Sequence, residues 1–256
     1  FGFTGDLLGS FETGTLGHQI RAGISFATFN TSHFIAAIPD TAQQSDIPET
    51  DGTRLGAYIE DRISFGDSGF ALTPGLRFDW HDYRPKASDG FADLNPGFPI
   101  FGLPENHSDS RFSPKLLATY DVTPSVQIFG QWSAAYRAPT VNELYLNFTN
   151  VTTGYAQMGN PDLKPETSTT YEVGAAYQGE GWSLGGALFQ NDLRDLIQTD
   201  LDNARIENGI ALYSYENIAR ARTQGVETAL RWQAASWLGL NAAYTYTEAK
   251  DRDSGE

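Results

Sequence analysis

Alternation between apolar and polar residues is the feature that most constrains the fold of this chain. In Leu76–His81, Leu, Phe and Trp fall on one side, and Arg, Asp and His fall on the other. The same period of two runs through Tyr171–Tyr177, Val226–Trp232 and Leu238–Tyr246. Because successive side chains of an extended strand point to opposite faces, these stretches predict strands with one apolar and one polar face. The pattern slips around Asp61, where a bulge or an interfacial position would account for it.

The connections between these stretches have two lengths, and the two lengths alternate. Tight turns are indicated at Gly66–Gly69, Thr123–Ser125, Gly179–Gly181 and Ala234–Ser236. Long polar stretches separate them, at Ser32–Gly52, Pro85–Ser110, Arg137–Thr167 and Thr199–Tyr213. A soluble sandwich rarely has such long loops all on one side, whereas outer-membrane barrels have tight turns at one end and long loops at the other. The sequence therefore predicts an all-β, antiparallel transmembrane barrel, with about ten strands in this chain.

Composition agrees with a barrel and excludes other classes. No stretch approaches the roughly 18 consecutive apolar residues that a membrane helix needs, and the mean hydropathy is -0.38. Aromatic residues make up 13% of the chain, which suits the aromatic girdles of a membrane barrel. The net charge of -15 argues against a nucleic-acid partner, which requires a basic surface. The chain has no cysteine, which excludes disulfides and thiol chemistry.

Two short motifs resemble those of a known family. Tyr136–Pro139, followed by Asn142–Tyr145, and then Gly159–Ser168 look like the paired "FRAP" and "NPNL" boxes of TonB-dependent haem and haemoglobin receptors. The matching box residues are Arg137, Ala138 and Pro139 in the first box and Asn160, Pro161 and Leu163 in the second. Further similar elements occur in the family's order at Arg111–Leu116, Asn191–Ile197, Tyr215–Ile218 and Thr223–Glu227. The resemblance runs from about Thr53 to Lys250.

The resemblance implies a receptor and not an enzyme. Its barrel has twenty-two strands and is closed by an N-terminal plug, so residues 1–256 are expected to be part of a single barrel domain whose plug and C-terminal strands lie outside this chain. Such a receptor lies in the Gram-negative outer membrane, in contact with its lipid. It binds haem or a haem-carrying protein outside, and the TonB energy-coupling complex drives it through the plug. Haem is then the transported ligand, and no intrinsic cofactor is expected.

Two other readings share the general barrel features. A TonB-dependent receptor for a siderophore or another ligand would carry the same strands and turns. A barrel without a transport role, such as an adhesin or a structural subunit of an outer-membrane assembly, would have no use for the two boxes.

Both boxes are expected to be mainly structural, with the ligand held by residues between them. The family commonly has a His there, but residues 140–159 contain none. Phenolate oxygen, thioether and imidazole all bind haem iron, so the candidate ligands are Tyr155, Tyr145 and Met158 in this loop and His33 and His107 in other long loops. Tyr155 matches the family context best and is the predicted iron ligand.

Apparent enzyme and metal signals carry little weight. Gly66–Gly69 looks like a serine-protease nucleophile loop, but it lies in a tight turn without a His and an Asp brought to the Ser. Asp200, Asp202 and Asn203 begin like a calcium loop that lacks the following Gly and Glu. The chain's four His residues show no helical pair typical of zinc.

Overall fold

The computed structural model describes residues 1–33, 45–88, 91, 103–150, 152–207 and 209–252. It contains thirteen strands and one helix in the described residues. In chain order these are β1 (Gly2–Thr13), β2 (Leu16–Thr31), β3 (Thr50–Phe65), β4 (Phe70–Pro85), β5 (His107–Thr123), β6 (Val126–Arg137), α1 (Val141–Tyr145), β7 (Asn147–Asn150), β8 (Tyr155–Met158), β9 (Glu166–Gly179), β10 (Trp182–Thr199), β11 (Arg205–Glu207), β12 (Ile210–Ala235) and β13 (Leu238–Asp251). The described helix has five residues, so it is far too short to cross a membrane.

Ten of the strands form one continuous antiparallel wall. Their order is β1-β2-β3-β4-β5-β6-β9-β10-β12-β13, so every neighbour in the wall is also the next long strand along the chain. Within the described residues the sheet is open, because β1 pairs with β2 alone and β13 with β12 alone. The predicted fold class and the count of about ten wall strands are confirmed.

The alternation in the sequence becomes two faces of this wall. Ile24, Ala57, Phe78 and Phe112 lie opposite one another on adjacent strands and form part of an apolar face. On the other face, the guanidinium of Arg77 donates to both carboxylate oxygens of Asp79 at 2.7 and 2.5 Å. Period-two patterning separates apolar and polar side chains in this way, because successive residues of a strand point to opposite faces.

Asp61 lies on the apolar face, and no bulge places it there. Its pairing with Ile20 is part of an unbroken register between β2 and β3. The imidazole of His18 lies on the same face, with Nδ1 2.7 Å from Asp61 Oδ2 and Nε2 2.7 Å from Thr13 Oγ1. The slip in the alternation is therefore a polar pair set into the apolar face, close to the tight turns.

The tight turns and long loops lie at opposite ends of the wall. The four predicted turns are present between the strands that they were expected to join, and a fifth, at Gly14–Thr15, connects β1 to β2. Gly66 and Gly181 have φ of 53° and 75°, a left-handed conformation that favours glycine. The stretch Thr199–Tyr213, predicted as a loop, is partly strand, because β11 forms there and β12 already begins at Ile210.

The buried core lies at the loop end and not along the wall. Leu144 and Tyr145 of α1 pack with Leu163, Tyr83 and Ile197, together with Ile47. A second cluster joins Ala156 and Met158 of β8 to Ile210 and Leu212 of β12. The long loop between β6 and β9 is thus a packed unit on top of the wall.

Candidate functional site

The first box leads into a capped turn of helix. Pro139 is fully buried, and Thr140 is the N-cap of α1. The Thr140 hydroxyl accepts from the Glu143 N–H at 3.2 Å, and the Glu143 carboxylate accepts from the Thr140 N–H at 2.7 Å. This reciprocal capping box satisfies two N–H groups that the helix itself leaves unpaired. It stabilises a helix that is too short to persist by its own propensity.

Arg137 joins the two boxes through two carboxylates. Its guanidinium donates to both oxygens of Glu166 at 2.7 Å and to both oxygens of Glu143 at 2.9 Å. Burial raises the pKa of Glu143, but the hydrogen bonds from Arg137 and Thr140 outweigh it and hold that pKa below its usual value. Glu166 also accepts from the N–H of Ile197 at 2.9 Å, which ties the network to β10. Arg137 therefore positions α1 against the wall.

The second box packs directly on α1. The Gly159 N–H donates to the Leu146 carbonyl at 2.6 Å, and the Asn160 N–H donates to the Glu143 carbonyl at 2.9 Å. A Cβ on Gly159 would lie 2.5 Å from the backbone of Leu144, so only glycine fits there. Leu163 is buried in the core beside α1.

Asn217 of β12 holds the second box from the other side. Its side chain accepts from the Lys164 N–H and donates to the Lys164 carbonyl, both at 2.8 Å, as a neighbouring strand would. It also donates to the carbonyl of Asp195, a non-glycine residue with φ of 55° at a register shift in β10. Asn160 adds a bond from its side chain to the Tyr215 carbonyl at 2.9 Å. Asn217 belongs to the family-like element Tyr215–Ile218, and the sequence alone predicts no role for it.

The segment between the boxes forms a small sheet, here called the loop sheet, that consists of β7, β8, the first residues of β12, and β11. β7 and β8 are antiparallel, β8 runs parallel to β12 from Tyr155↔Ala211 to Met158↔Ser214, and β11 pairs with the other edge of β12. The loop sheet joins two long loops that are far apart in sequence.

One face of the loop sheet is an aromatic cluster, defined as Phe148, Tyr155 and Tyr213. The ring of Tyr155 lies 5.3 Å from that of Tyr213 and 6.2 Å from that of Phe148. The Tyr155 hydroxyl donates to Gln157 Oε1 at 2.9 Å, and the Gln157 amide donates to Thr199 Oγ1 at 2.9 Å. All three rings are half-buried, so the cluster presents a partly open aromatic surface.

The opposite face of the loop sheet borders a cavity of about 740 Å³, here called the loop cavity. Asn147, Met158, Leu212 and Ser214 lie on that face, as the pairings Asn147↔Met158, Leu212↔Ala156 and Ser214↔Met158 require. The box residues Asn160 and Pro161 and the helix residues Leu144 and Tyr145 complete the inner wall. A volume of this size lies in the range of small-ligand pockets.

The candidate iron ligands are not brought to one place. Tyr145 and Met158 line the loop cavity, whereas Tyr155, His33 and His107 are absent from the part of its lining that the structure describes. Tyr145 is almost fully buried; its hydroxyl donates to the Tyr83 carbonyl at 3.4 Å and also interacts with the backbone of His107. His33 is exposed, in the loop that follows β2. Among the described residues, no three His, Asp or Glu side chains are grouped to hold a metal ion.

His107 contacts the second box. Its Nδ1 lies 3.0 Å from the Pro161 carbonyl. A carbonyl can only accept, so Nδ1 carries the proton and Nε2 of the neutral ring has the lone pair. Nε2 is buried and has no hydrogen-bond partner in the described part of the chain.

Comparison with known proteins gives the family. The family profile described as "TonB dependent receptor-like, beta-barrel" matches residues 1–256, the whole chain. The chain belongs to the TonB-dependent receptor family. The family assignment inferred from the two boxes is confirmed, as are the outer-membrane location and the expectation that the protein is not an enzyme. In outer-membrane barrels generally, the apolar face of the wall contacts lipid and the polar face lines the lumen. The tight turns are periplasmic and the long loops external.

The relatives of this TonB-dependent receptor chain include proteins named for haem and proteins named for a siderophore. Heme/hemopexin utilization protein C of Haemophilus influenzae is 26% identical over 218 residues, which are 78% of this chain and 28% of that protein. A ferric enterobactin receptor of Pseudomonas aeruginosa is 28% identical over 237 residues, which are 86% of this chain and 28% of that protein. The chain therefore spans about 28% of the length of these curated relatives.

Among solved structures, a double mutant of the Serratia marcescens hemophore receptor HasR, in complex with its hemophore HasA and heme, has a TM-score of 0.78 at 17% identity. The match covers 97% of this chain and 41% of that one. At that identity the likeness shows the fold alone.

Proposed function

We propose that this chain is part of a receptor that takes up iron as haem or from a haem-carrying protein. The aromatic cluster around Tyr155 carries the proposal. Three half-buried rings, tilted against one another by 56° and 31°, offer an apolar surface to a macrocycle, and the phenol oxygen of Tyr155 is a possible ligand for its iron. The relatives named for haem utilization support the same ligand.

Tyr155 is the proposed axial ligand of the haem iron. Ferric iron favours an anionic oxygen donor, and tyrosinate is a known haem ligand. To bind iron, the Tyr155 hydroxyl must release its proton and leave Gln157, which accepts from it at 2.9 Å. His107 is the alternative, because a backbone carbonyl orients its Nδ1–H, as in many metal-binding histidines, and leaves Nε2 with the lone pair. Tyr145, Met158 and His33 remain further candidates.

Uptake through such a barrel needs an energy source from outside this chain. We propose that the whole receptor couples to the TonB complex through a plug domain and that haem is cargo, with no resident cofactor. The Arg137 network then fixes the external loop that meets the ligand.

A titration of the full-length receptor with haemin, followed by the Soret band, tests the proposal. Tyr155→Phe keeps the ring and removes the oxygen, so it should shift the Soret band and weaken binding by about tenfold or more, the loss of one coordinate bond. Tyr145→Phe and Met158→Leu are matched controls from the same loop, and they should change the Soret band and the haemin affinity little.

Two results would redirect the proposal. An unchanged Soret band and affinity in Tyr155→Phe would transfer the ligand role to His107, which is tested in the same way by His107→Gln. Absence of haemin binding together with binding of ferric enterobactin would favour the siderophore reading, which relatives of that name support.

A further inference from the structure

The apolar face of the wall changes its chemistry along β10, β12 and β13. One row of paired residues across these strands is apolar and consists of Leu188, Val226 and Tyr246. The next row on the same face, further from the tight turns, is polar and consists of Gln190, Gln224 and Glu248. The row after that is charged and consists of Asp192, Arg222 and Lys250. The face thus passes from apolar to charged within two rows.

Basic residues are concentrated in and just above the charged row. Five of the chain's 17 Lys and Arg residues lie there on this face and are called here the basic patch: Arg194, Arg220, Arg222, Lys250 and Arg252. Two carboxylates, those of Asp192 and Glu248, lie among them. The patch therefore has a positive surplus, although the whole chain has a net charge of -15.

Asp192 holds two guanidinium groups of the basic patch close together. Arg222 donates to both of its carboxylate oxygens, at 2.6 and 3.0 Å, and Arg252 donates to Oδ1 at 3.3 Å. The side chains of Arg222 and Arg252 are still 30% and 49% exposed, so their other N–H groups can bind a further acceptor. Lys250, which pairs with Glu248 at 3.0 Å, adds a third cation. Neighbouring guanidinium groups suit a phosphate, because each presents a planar fork of N–H donors.

An apolar groove of about 510 Å³, here called the outer groove, adjoins the basic patch on the same face. Its apolar lining consists of Tyr171, Val173, Leu188, Val226 and Tyr246. The polar row with Gln190 and Gln224 borders the groove and separates it from the patch. An occupant that fills both places therefore combines an apolar chain with an anionic group.

The position of the basic patch along the strands favours a lipid over a soluble protein as this occupant. Lys250 lies twelve residues beyond Leu238, the first residue of β13. A tilted strand crosses the hydrocarbon of a membrane in about ten residues, so the patch is at the level of the external head groups and the outer groove is at the level of the acyl chains. Anionic lipid head groups attract Lys and Arg at this level, where long basic side chains lie along apolar surface with their charged ends in water.

We propose that the basic patch and the outer groove together bind one phosphorylated lipid of the outer leaflet. Arg222, Arg252 and Lys250 bind its phosphate, and the outer groove receives one of its acyl chains. The site lies on the outside of the barrel, so it does not depend on which ligand the receptor transports.

Binding of diphosphoryl lipid A to the purified full-length receptor in detergent, followed by native mass spectrometry, tests the site. Arg222→Gln with Lys250→Gln should bind this lipid about 30-fold more weakly, as two basic residues that each contribute about fivefold. Arg21→Gln with Arg231→Gln makes the same change of charge on the polar face and should bind like the wild type. Arg222→Lys keeps the charge but loses the fork of donors, so its lipid affinity should lie between those of the wild type and the first double variant.

Two further probes separate the lipid from its parts. Phosphatidylethanolamine, whose head group carries its own cation, should bind equally to the wild type and to both double variants. Inorganic phosphate in excess should not displace lipid A, because it has no chain for the outer groove. Leu188→Thr, which changes the groove without changing the charge, should weaken the binding of lipid A.

Equal lipid A affinity in the two double variants would overturn the proposal, since only the overall charge would then attract the lipid. Displacement of lipid A by inorganic phosphate at similar concentrations would also refute it, because the patch would then be a site for a free anion. Resistance of each variant to unfolding in dodecyl sulfate at room temperature shows beforehand that the barrel is folded, so that a lost affinity is not a lost fold.

Discussion

Replacing Arg137 with Gln should release the external loop between β6 and β9. Arg137 makes four hydrogen bonds of 2.7–2.9 Å to two carboxylates whose side chains are only 15% and 16% exposed. Without the guanidinium, Glu143 and Glu166 would face each other without a counter-charge. A fully buried pair broken in this way costs about 3–5 kcal/mol. Because Arg137 itself is 42% exposed, solvent screening reduces the expected loss to about 2 kcal/mol.

The loss should appear as faster hydrogen exchange in the loop. The N–H groups of Leu144, Leu146 and Asn160 are all bonded within the unit that Arg137 positions. A loss of about 2 kcal/mol in the opening free energy corresponds to exchange about 30-fold faster at these amides in the full-length receptor. The wall strands should keep their protection, since their ladders do not depend on Arg137.

Two further variants make the test specific. Arg137→Lys keeps the charge but loses the bidentate geometry, so its loop amides should exchange at a rate between those of the wild type and Arg137→Gln. Arg231→Gln makes the same charge change at a side chain whose Nε donates one bond to Asn241, at 3.3 Å, and it should leave the loop unchanged. If Arg137→Gln exchanged like Arg231→Gln, the two boxes would not be held together by this network.

Three other outcomes are expected. Gly159→Ala should displace α1, because the new Cβ would lie 2.5 Å from the Leu144 backbone. The resulting loss of loop stability, about 1–3 kcal/mol, should accelerate hydrogen exchange of the loop amides. Gly185→Ala is the control and should not accelerate exchange, since its Cβ would have no neighbour within 4 Å. The depressed pKa of Glu143 means that its contribution to loop stability is complete above its usual value of 4.5 and is lost as the pH falls through its folded pKa; a loss of protection on raising the pH from about 5 to 8 would contradict this sign. The isolated 256-residue chain should not form a stable soluble monomer, because β1 and β13 each leave an unpaired edge; a monomer that melts cooperatively, seen by sedimentation and circular dichroism, would count against the membrane-barrel assignment.

The sequence predicts the wall well and the loops poorly, for a physical reason. Alternation and turn residues are local signals, and in an up-and-down barrel each strand pairs with its neighbour in the chain, so local signals suffice for the order of the ten wall strands. The loop sheet depends instead on the parallel pairing of Tyr155 with Ala211, which lie far apart in sequence. A four-residue strand such as β8 has too little pattern to indicate that partner.

The site was predictable as a set of motifs but not as a geometry. The boxes indicated Arg137 and Asn160, and both make side-chain contacts that join the boxes to their surroundings; their mainly structural role stays a prediction. Glu143 lies only six residues from Arg137, but Glu166 and Asn217 reach the boxes through tertiary pairing, which no local pattern encodes. The Asn217 side chain bonds the backbone of Lys164 as a neighbouring strand would. The only sequence signal for this role is a polar residue at the loop end of an otherwise alternating strand. The roles of Tyr155 and the other candidate ligands stay predictions.

We expect the His18–Asp61 pair to mark how deep the barrel sits in its membrane. A polar pair facing lipid is tolerated near an interface and costly at mid-membrane, so the periplasmic boundary of the hydrocarbon passes close to it. A tilted strand needs about ten residues to cross the hydrocarbon, which places the external boundary on β2 near Thr28. There the lipid-facing pairs change from Phe26–Leu55 to Thr28–Thr53 and Asn30–Asp51. One irregularity in the alternation thus predicts where these strands lie relative to the bilayer.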